Sequence, residues 1–247
     1  SFLEDALVFD NSIRRIDTTH NVVTMKNMLR NCLEFNQNIE ALETTNLEIM
    51  EGMLEGCVKY NQNLESLLAP GNKVTNMKSL LKGCVKYNQC IEDLQTENVT
   101  TMESMFEGCV EFNQCLCDLN TNKVTNFSKF LMGCIEFDQE LDHFDTSSAT
   151  DLSYFLNGAV IFNREVGINA SNATDMSFMF YGALVFNAPI NVVSTANVTN
   201  MASMFAGASV FNQPLTDFTT PNVTNMNGMF IGASSFNQPL DGFTTPN

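Results

Sequence analysis

The chain has 247 residues and a formal net charge of −16. An acidic surface of that size offers no basic stripe to neutralise phosphates, which argues against nucleic acid as a partner and against direct docking on an anionic membrane. Hydrophobic residues make up 44% of the chain, enough for a continuous core, yet no run reaches the ~20 apolar residues of a membrane helix, so direct membrane insertion is not expected.

From the N-terminus onward the chain repeats itself about every 25 residues. Phe9 opens it as the remnant of a truncated repeat. Two columns then set the frame: Met25, Met50, Met77, Met102, Phe127, Leu152, Met176, Met201 and Met226, and, ten residues after each, Phe35, Tyr60, Tyr87, Phe112, Phe137, Phe162, Phe186, Phe211 and Phe236. The distance onward to the next first-column residue varies between 14 and 17. One arc of each repeat is therefore fixed and the other tolerates insertion, as packed elements and loops respectively do. Residues 1–247 read as a single solenoid of nine full repeats and the partial N-terminal one. The chain lacks a signal peptide and an initiator Met, and it stops at the Thr-Thr-Pro-Asn that in the previous repeat runs on into Val223; the expectation is a piece of a longer array.

Within a repeat, Met102, Met105 and Phe106 fall at i, i+3 and i+4, the apolar face of a short helix. Thr101, Asn126, Asp151, Asp175, Asn200 and Asn225 stand where an N-cap would, and Gly108, Gly133, Gly158 and Gly207 where a left-handed C-cap would. Past the aromatic, Phe112, Gln114 and Leu116 alternate with Asn113, Cys115 and Cys117, which predicts a strand. Pro189, Pro214 and Pro239 in the later repeats make its pairing short or irregular. The expected fold class is an α/β repeat solenoid, with one short parallel strand and one short helix per rung of about 25 residues.

In the first four repeats the fixed arc is charged. Lys26 and Arg30 are followed by Glu51 and Glu55, then Lys78 and Lys82, then Glu103 and Glu107. This alternation makes sense if neighbouring arcs lie parallel and in register, so that basic rows meet acidic ones. Each exposed pair contributes only about 0–1 kcal/mol, so its larger effect is on register. The Asn or Asp after each aromatic and the Gln beyond it (Asn36 and Gln37, Asn113 and Gln114, Asn212 and Gln213) predict amides bonded from rung to rung.

Chemistry has few candidates. Cys32, Cys57, Cys84, Cys109 and Cys134 share a column that continues as Ala159, Ala183, Ala208 and Ala233, which marks a small buried site. Cys90, Cys115 and Cys117 cluster on the outward face of the strand, and a Cys90–Cys115 disulfide is the pairing to test. Zinc is not expected, since no Cys-x-x-Cys pair or nearby His supports it. Only His20 and His143 occur, both in the variable arc. No catalytic constellation and no phosphate loop assembles, so neither an enzyme nor a cofactor is expected. Asn98, Asn126, Asn169, Asn172, Asn197 and Asn222 are formal glycosylation sequons arising largely from the repeated Asn-Val-Thr. A partner surface is expected on the outward strand positions that vary between rungs: Glu40, Glu65, Glu92, Glu140, Asp142, Asn191, Thr216 and Asp241.

The stretch from Asn197 to Leu215, containing Asn-Val-Thr-Asn-Met-Ala-Ser-Met-Phe and Phe-Asn-Gln-Pro-Leu, resembles the BspA-type surface-protein repeat found also in Mycoplasma lipoproteins. The resemblance spans nearly the whole chain and is strongest from Asn172 onward. It implies a leucine-rich-repeat-like solenoid and surface display, with adhesion or protein binding as its role, and it brings no catalytic residue. Arrays of this type also occur in large DNA viruses. The alternative expectation is therefore a virion-associated structural protein, with neighbouring copies or capsid proteins as partners.

Overall fold

The computed structural model describes residues 2–13, 21–40, 42, 44–64, 67–68, 70–92 and 94–243. Its unit is a rung, and each rung lies parallel and in register on the next. Isolated parallel bridges run in an unbroken series, Thr24 to Ile49, Ile49 to Asn76, Asn76 to Thr101, and so on to Asn200 with Asn225.

No α-helix occurs among the described residues, which corrects the expectation of one short helix per rung. The fixed arc is a chain of overlapping four-residue turns. Met105 N–H bonds back to Met102 C=O at 3.1 Å, Glu107 to Ser104 at 3.2 Å and Cys109 to Phe106 at 2.9 Å. The alternate N–H groups point sideways instead: Met102, Ser104, Phe106 and Gly108 donate to Asn126, Ser128, Phe130 and Met132 of the next rung. Two left-handed residues per arc, Ser104 (φ 57) and Gly108 (φ 74), rotate every second amide out of the turn and towards the neighbour. A helix of under two turns leaves most of its backbone groups unsatisfied. Lateral turns satisfy them by pairing every rung with two others. The spacing i, i+3, i+4 was sound as a statement of which side chains face inward, and Met102, Met105 and Phe106 are fully buried. The capping residues also keep their chemistry without a helix: Asn126, Asp151, Asp175, Asn200 and Asn225 each accept, through Oδ1, the backbone N–H two residues on, as Asn76 does as well.

The strand expectation is corrected as well. Regular pairing sits mainly in the Val-Thr-Asn segment just before the first column, where Thr100 N–H bonds to Thr75 C=O and Thr125 N–H to Thr100 C=O, both at 2.9 Å. Past the aromatic, only two short strands form among the described residues, β1 (Val166–Ile168) and β2 (Ile190–Val192), paired parallel with Val166 opposite Ile190. In the other rungs that segment forms no strand among the described residues, and Pro214 and Pro239 remove donors from the last rungs.

The core is a set of columns. Phe9, Phe35, Tyr60, Tyr87, Phe112, Phe137, Phe162, Phe186, Phe211 and Phe236 form one continuous stack, with ring centroids 5.7–6.1 Å apart. Beside it runs the expected amide ladder. Asn113 Oδ1 accepts both the backbone N–H of Asp138 and the Nε2 of Gln139, each at 2.9 Å, and the same pair of bonds recurs at Asn36, Asn61 and Asn88. The turn that launches each extended segment is thereby tied to the rung before it.

Replacing Asn113 with Ala removes the one oxygen that accepts both bonds and leaves the Asp138 amide unpaired. Asn113→Ala is expected to lower unfolding free energy by about 1–3 kcal/mol, measured as a shift in denaturant midpoint. Asn113→Asp keeps the acceptor oxygen and should lose markedly less.

Candidate functional site

The register of the rungs aligns the described partner positions along one strip. Glu92, Glu140, Asp142, Asn191, Thr216 and Asp241 are exposed. Glu40 is half-buried, its carboxylate accepting from Asn38 Nδ2 at 2.9 Å. Glu65 lies outside the described residues, as does His20. The strip is acidic through the first half of the array, and no lysine or arginine of the described residues forms an ion pair with Glu92, Glu140 or Asp142. Asp142 faces the imidazole of His143 at 3.5 Å.

The charged rows of the fixed arc meet as their alternation implied. Lys26 pairs with Glu51 at 2.9 Å, Arg30 with Glu55 at 3.3 Å, Lys78 with Glu103 at 2.8 Å and Lys82 with Glu107 at 3.1 Å. The hydrogen bond that the Lys78 ammonium donates to Glu103 raises the Lys78 pKa. A third row adds Lys59 with Glu34 and Lys86 with Glu111. These pairs cover the turn corner of the first four rungs.

In the later rungs the same corner is apolar and open. Ile161, Leu184, Val185 and Val210 stand one or two residues past the Ala column and are 42–46% exposed; Tyr181 is 45% and Ile231 70% exposed. The rungs touch here, since Ser209 Oγ donates to Leu184 C=O at 3.2 Å and Ser235 N–H to Ser209 C=O at 3.1 Å. Leu33, Val58 and Ile135 are exposed in the earlier rungs too, at 38%, 37% and 41%, but there the next residue is charged: Glu34, Lys59 and Glu136. Between the two regions, the left-handed positions carry Lys129, Tyr154 and Phe178: the Tyr154 and Phe178 rings stack at 4.6 Å, with the Lys129 ammonium 5.9 Å above Tyr154. The sequence reading missed this apolar corner, although the switch from charge to Ile, Leu and Val at those positions was a usable signal.

The cysteines divide into two populations. All five of the column are buried, and each thiol donates to a carbonyl of the preceding rung at 3.1 Å, as Cys109 does to Leu81. Burial pushes their pKa values up, that of Cys57 to about 12. Alanine fills the same space without the hydrogen bond, which explains the exchange along the column. The outward thiols differ. The disulfide joins Cys115 to Cys117 within one rung, which corrects the expected Cys90–Cys115 pairing.

Two rings of the aromatic stack carry a hydroxyl into the core. Tyr60 and Tyr87 are fully buried, and neither phenol oxygen has a hydrogen-bond partner among the described residues. Burial drives both pKa values well above the ordinary phenol value. The sequons are engaged too: the side-chain amides of Asn172, Asn197 and Asn222 donate to carbonyls of the preceding rung at 2.6–2.7 Å.

Parallel rungs, left-handed turns at fixed positions and unbroken lateral ladders define a repeat solenoid. The chain belongs to the family described as "Mycoplasma protein of unknown function, DUF285", whose profile matches residues 1–69, 70–168 and 166–247. That membership agrees with the resemblance carried by residues 197–215. No curated protein matches the chain. Among solved structures, a leucine rich cell surface protein from Faecalibacterium prausnitzii A2-165 is similar at 17% identity and a TM-score of 0.45. The match covers 57% of this chain and 36% of that one.

Two measurements check this geometry. After reduction of the disulfide, a thiol reagent at neutral pH should modify Cys90, Cys115 and Cys117 in the native protein, while the buried column reacts only on unfolding. Tyr60→Phe and Tyr87→Phe should each raise stability by about 1 kcal/mol, because each removes a buried hydroxyl without a partner; a loss of stability in both would show that the hydroxyls are satisfied.

Proposed function

We propose that the chain is a non-catalytic scaffold that binds another protein at a cell surface. The observation that carries this reading is the open apolar corner of the later rungs, Ile161, Leu184, Val185 and Val210 with Tyr181 and Ile231. Ion pairs cover the equivalent corner in the earlier rungs. Contiguous exposed apolar surface of this kind is a mark of protein–protein contact, and a stack of rigid rungs presents it as one continuous strip. Surface display is supported by the likeness of the repeat to the BspA-type surface-protein repeat.

The test has two parts. Labelling of intact source cells with a membrane-impermeant reagent should modify the protein. Beads coated with it should adhere to protein-coated or cell surfaces, and a triple variant, Ile161→Asp, Val185→Asp and Val210→Asp, should lose most of that adhesion with its circular dichroism unchanged. Loss of adhesion instead in Glu92→Gln, Glu140→Gln and Asp142→Asn would move the contact to the acidic strip. Adhesion untouched by either set would overturn the reading.

A further inference from the structure

Two consecutive rungs place sulfur on the outward strip. In one, Cys90 and Glu92 follow Tyr87 by three and five residues; in the next, Cys115 and Cys117 follow Phe112 in the same way. The amide ladder fixes their register, with Asn113 N–H bonded to Asn88 Oδ1 at 2.9 Å. Cys115 therefore lies in the column of Cys90, and Cys117 in the column of Glu92. Leu116 is buried between the two cysteines and holds the side chains on either side of it outward. As a result, the ligand atoms of Glu92, Cys115 and Cys117 all lie within 4.8 Å of one another. The two sulfurs close as a disulfide, and the Cys117 N–H points at Cys115 Sγ at 3.2 Å.

We propose that, when the disulfide is reduced, Cys115, Cys117 and Glu92 form a binding site for a thiophilic divalent cation such as zinc, and that the disulfide and the metal-bound dithiolate are alternative states of the same site. Two thiolates and a carboxylate are a donor set that zinc accepts, and three protein ligands leave the fourth position to water. Sulfurs on a tetrahedral zinc stand about 3.8 Å apart, given bonds of about 2.3 Å, so the side chains that now form the disulfide need move little. The third ligand comes from the preceding rung, which is why no linear Cys-x-x-Cys motif announces the site. Glu140 and Asp142, exposed in the following rung, add negative charge that attracts a cation. The five column thiols do not compete, because they are buried and donate to backbone carbonyls.

The interconversion balances with a phosphine as reductant. The phosphine takes the oxygen of a water molecule and becomes its oxide, and the S–S bond accepts two electrons and two protons to give two thiols. On binding, the cation displaces those two protons to solvent.

Cobalt(II) is the probe. Phosphine-reduced protein titrated with cobalt should develop a thiolate-to-cobalt charge-transfer band that saturates at one equivalent and is abolished by added zinc. Protein with the disulfide intact should show none. Cys115→Ser and Cys117→Ser should remove the band, and Glu92→Gln should weaken binding at least tenfold. All three positions are exposed or half-buried, so the variants should fold, which circular dichroism checks. In parallel, zinc should protect Cys115 and Cys117 from alkylation. The proposal is overturned by an absent band in reduced wild type, by an equal band in oxidised protein or in Cys115→Ser, or by unchanged affinity in Glu92→Gln.

Discussion

Everything in this fold depends on the sideways backbone hydrogen bond. In the fixed arc every second amide leaves its own turn and reaches the carbonyl of the next rung, and the alternate amides close the turns. Neither set is sufficient alone. The turns are too short to persist in water, and the lateral bonds exist only when neighbouring turns share one register. Left-handed residues at two fixed positions per arc make the alternation possible. They also explain why glycine recurs at one of them: a Cβ on Gly108 would lie 3.7 Å from the Cα of Gly83, so the close approach is tolerable and the cost of a larger residue is set by φ.

Once register is fixed, side chains in equivalent positions must meet their own kind, and the columns follow. Ten aromatic rings stack, amides bond to amides, and thiols cap carbonyls of the rung before. Like charges in adjacent rungs would repel, and the early rungs avoid this by alternating sign, so that Lys26 meets Glu51 and Lys78 meets Glu103. The later rungs drop charge and leave the corner apolar. The same register brings Glu92 beside Cys115 and Cys117 of the next rung, a neighbour that local sequence alone would not supply. Core and surface chemistry are thus set by one rule, with identity constrained inside and freed outside.

Much of this was legible in the sequence, and the part that was not has a physical cause. The period, the two columns, the amide ladder and the pairing of charged rows could be read because each is a statement about equivalent positions, which stacking turns directly into contacts. The helix was misread because inward-facing positions at i, i+3 and i+4 are common to a helix and to a run of overlapping turns. What separates them is the sign of φ at Ser104, Lys129, Tyr154 and Phe178, which side-chain identity does not disclose. The strand was misplaced for a related reason. Alternation past the aromatic reported which side chains point inward, whereas pairing needed two backbones at the same height, and that occurs chiefly at the Val-Thr-Asn segment. The Cys90–Cys115 expectation failed because adjacency along the stack was weighed above the reach of two cysteines flanking a single buried leucine.

The lateral bonding also sets how the molecule bears force. A pull along the stack axis passes through every rung boundary in series, so the weakest boundary yields first and the rest hold. Each rung that peels away releases about 25 residues of chain, an extension of roughly 80–90 Å at ~3.3–3.6 Å per residue. Failure of one boundary thus lengthens the chain and relieves the load before the next boundary is tested. A stack of near-identical rungs is in this sense an extensible tether.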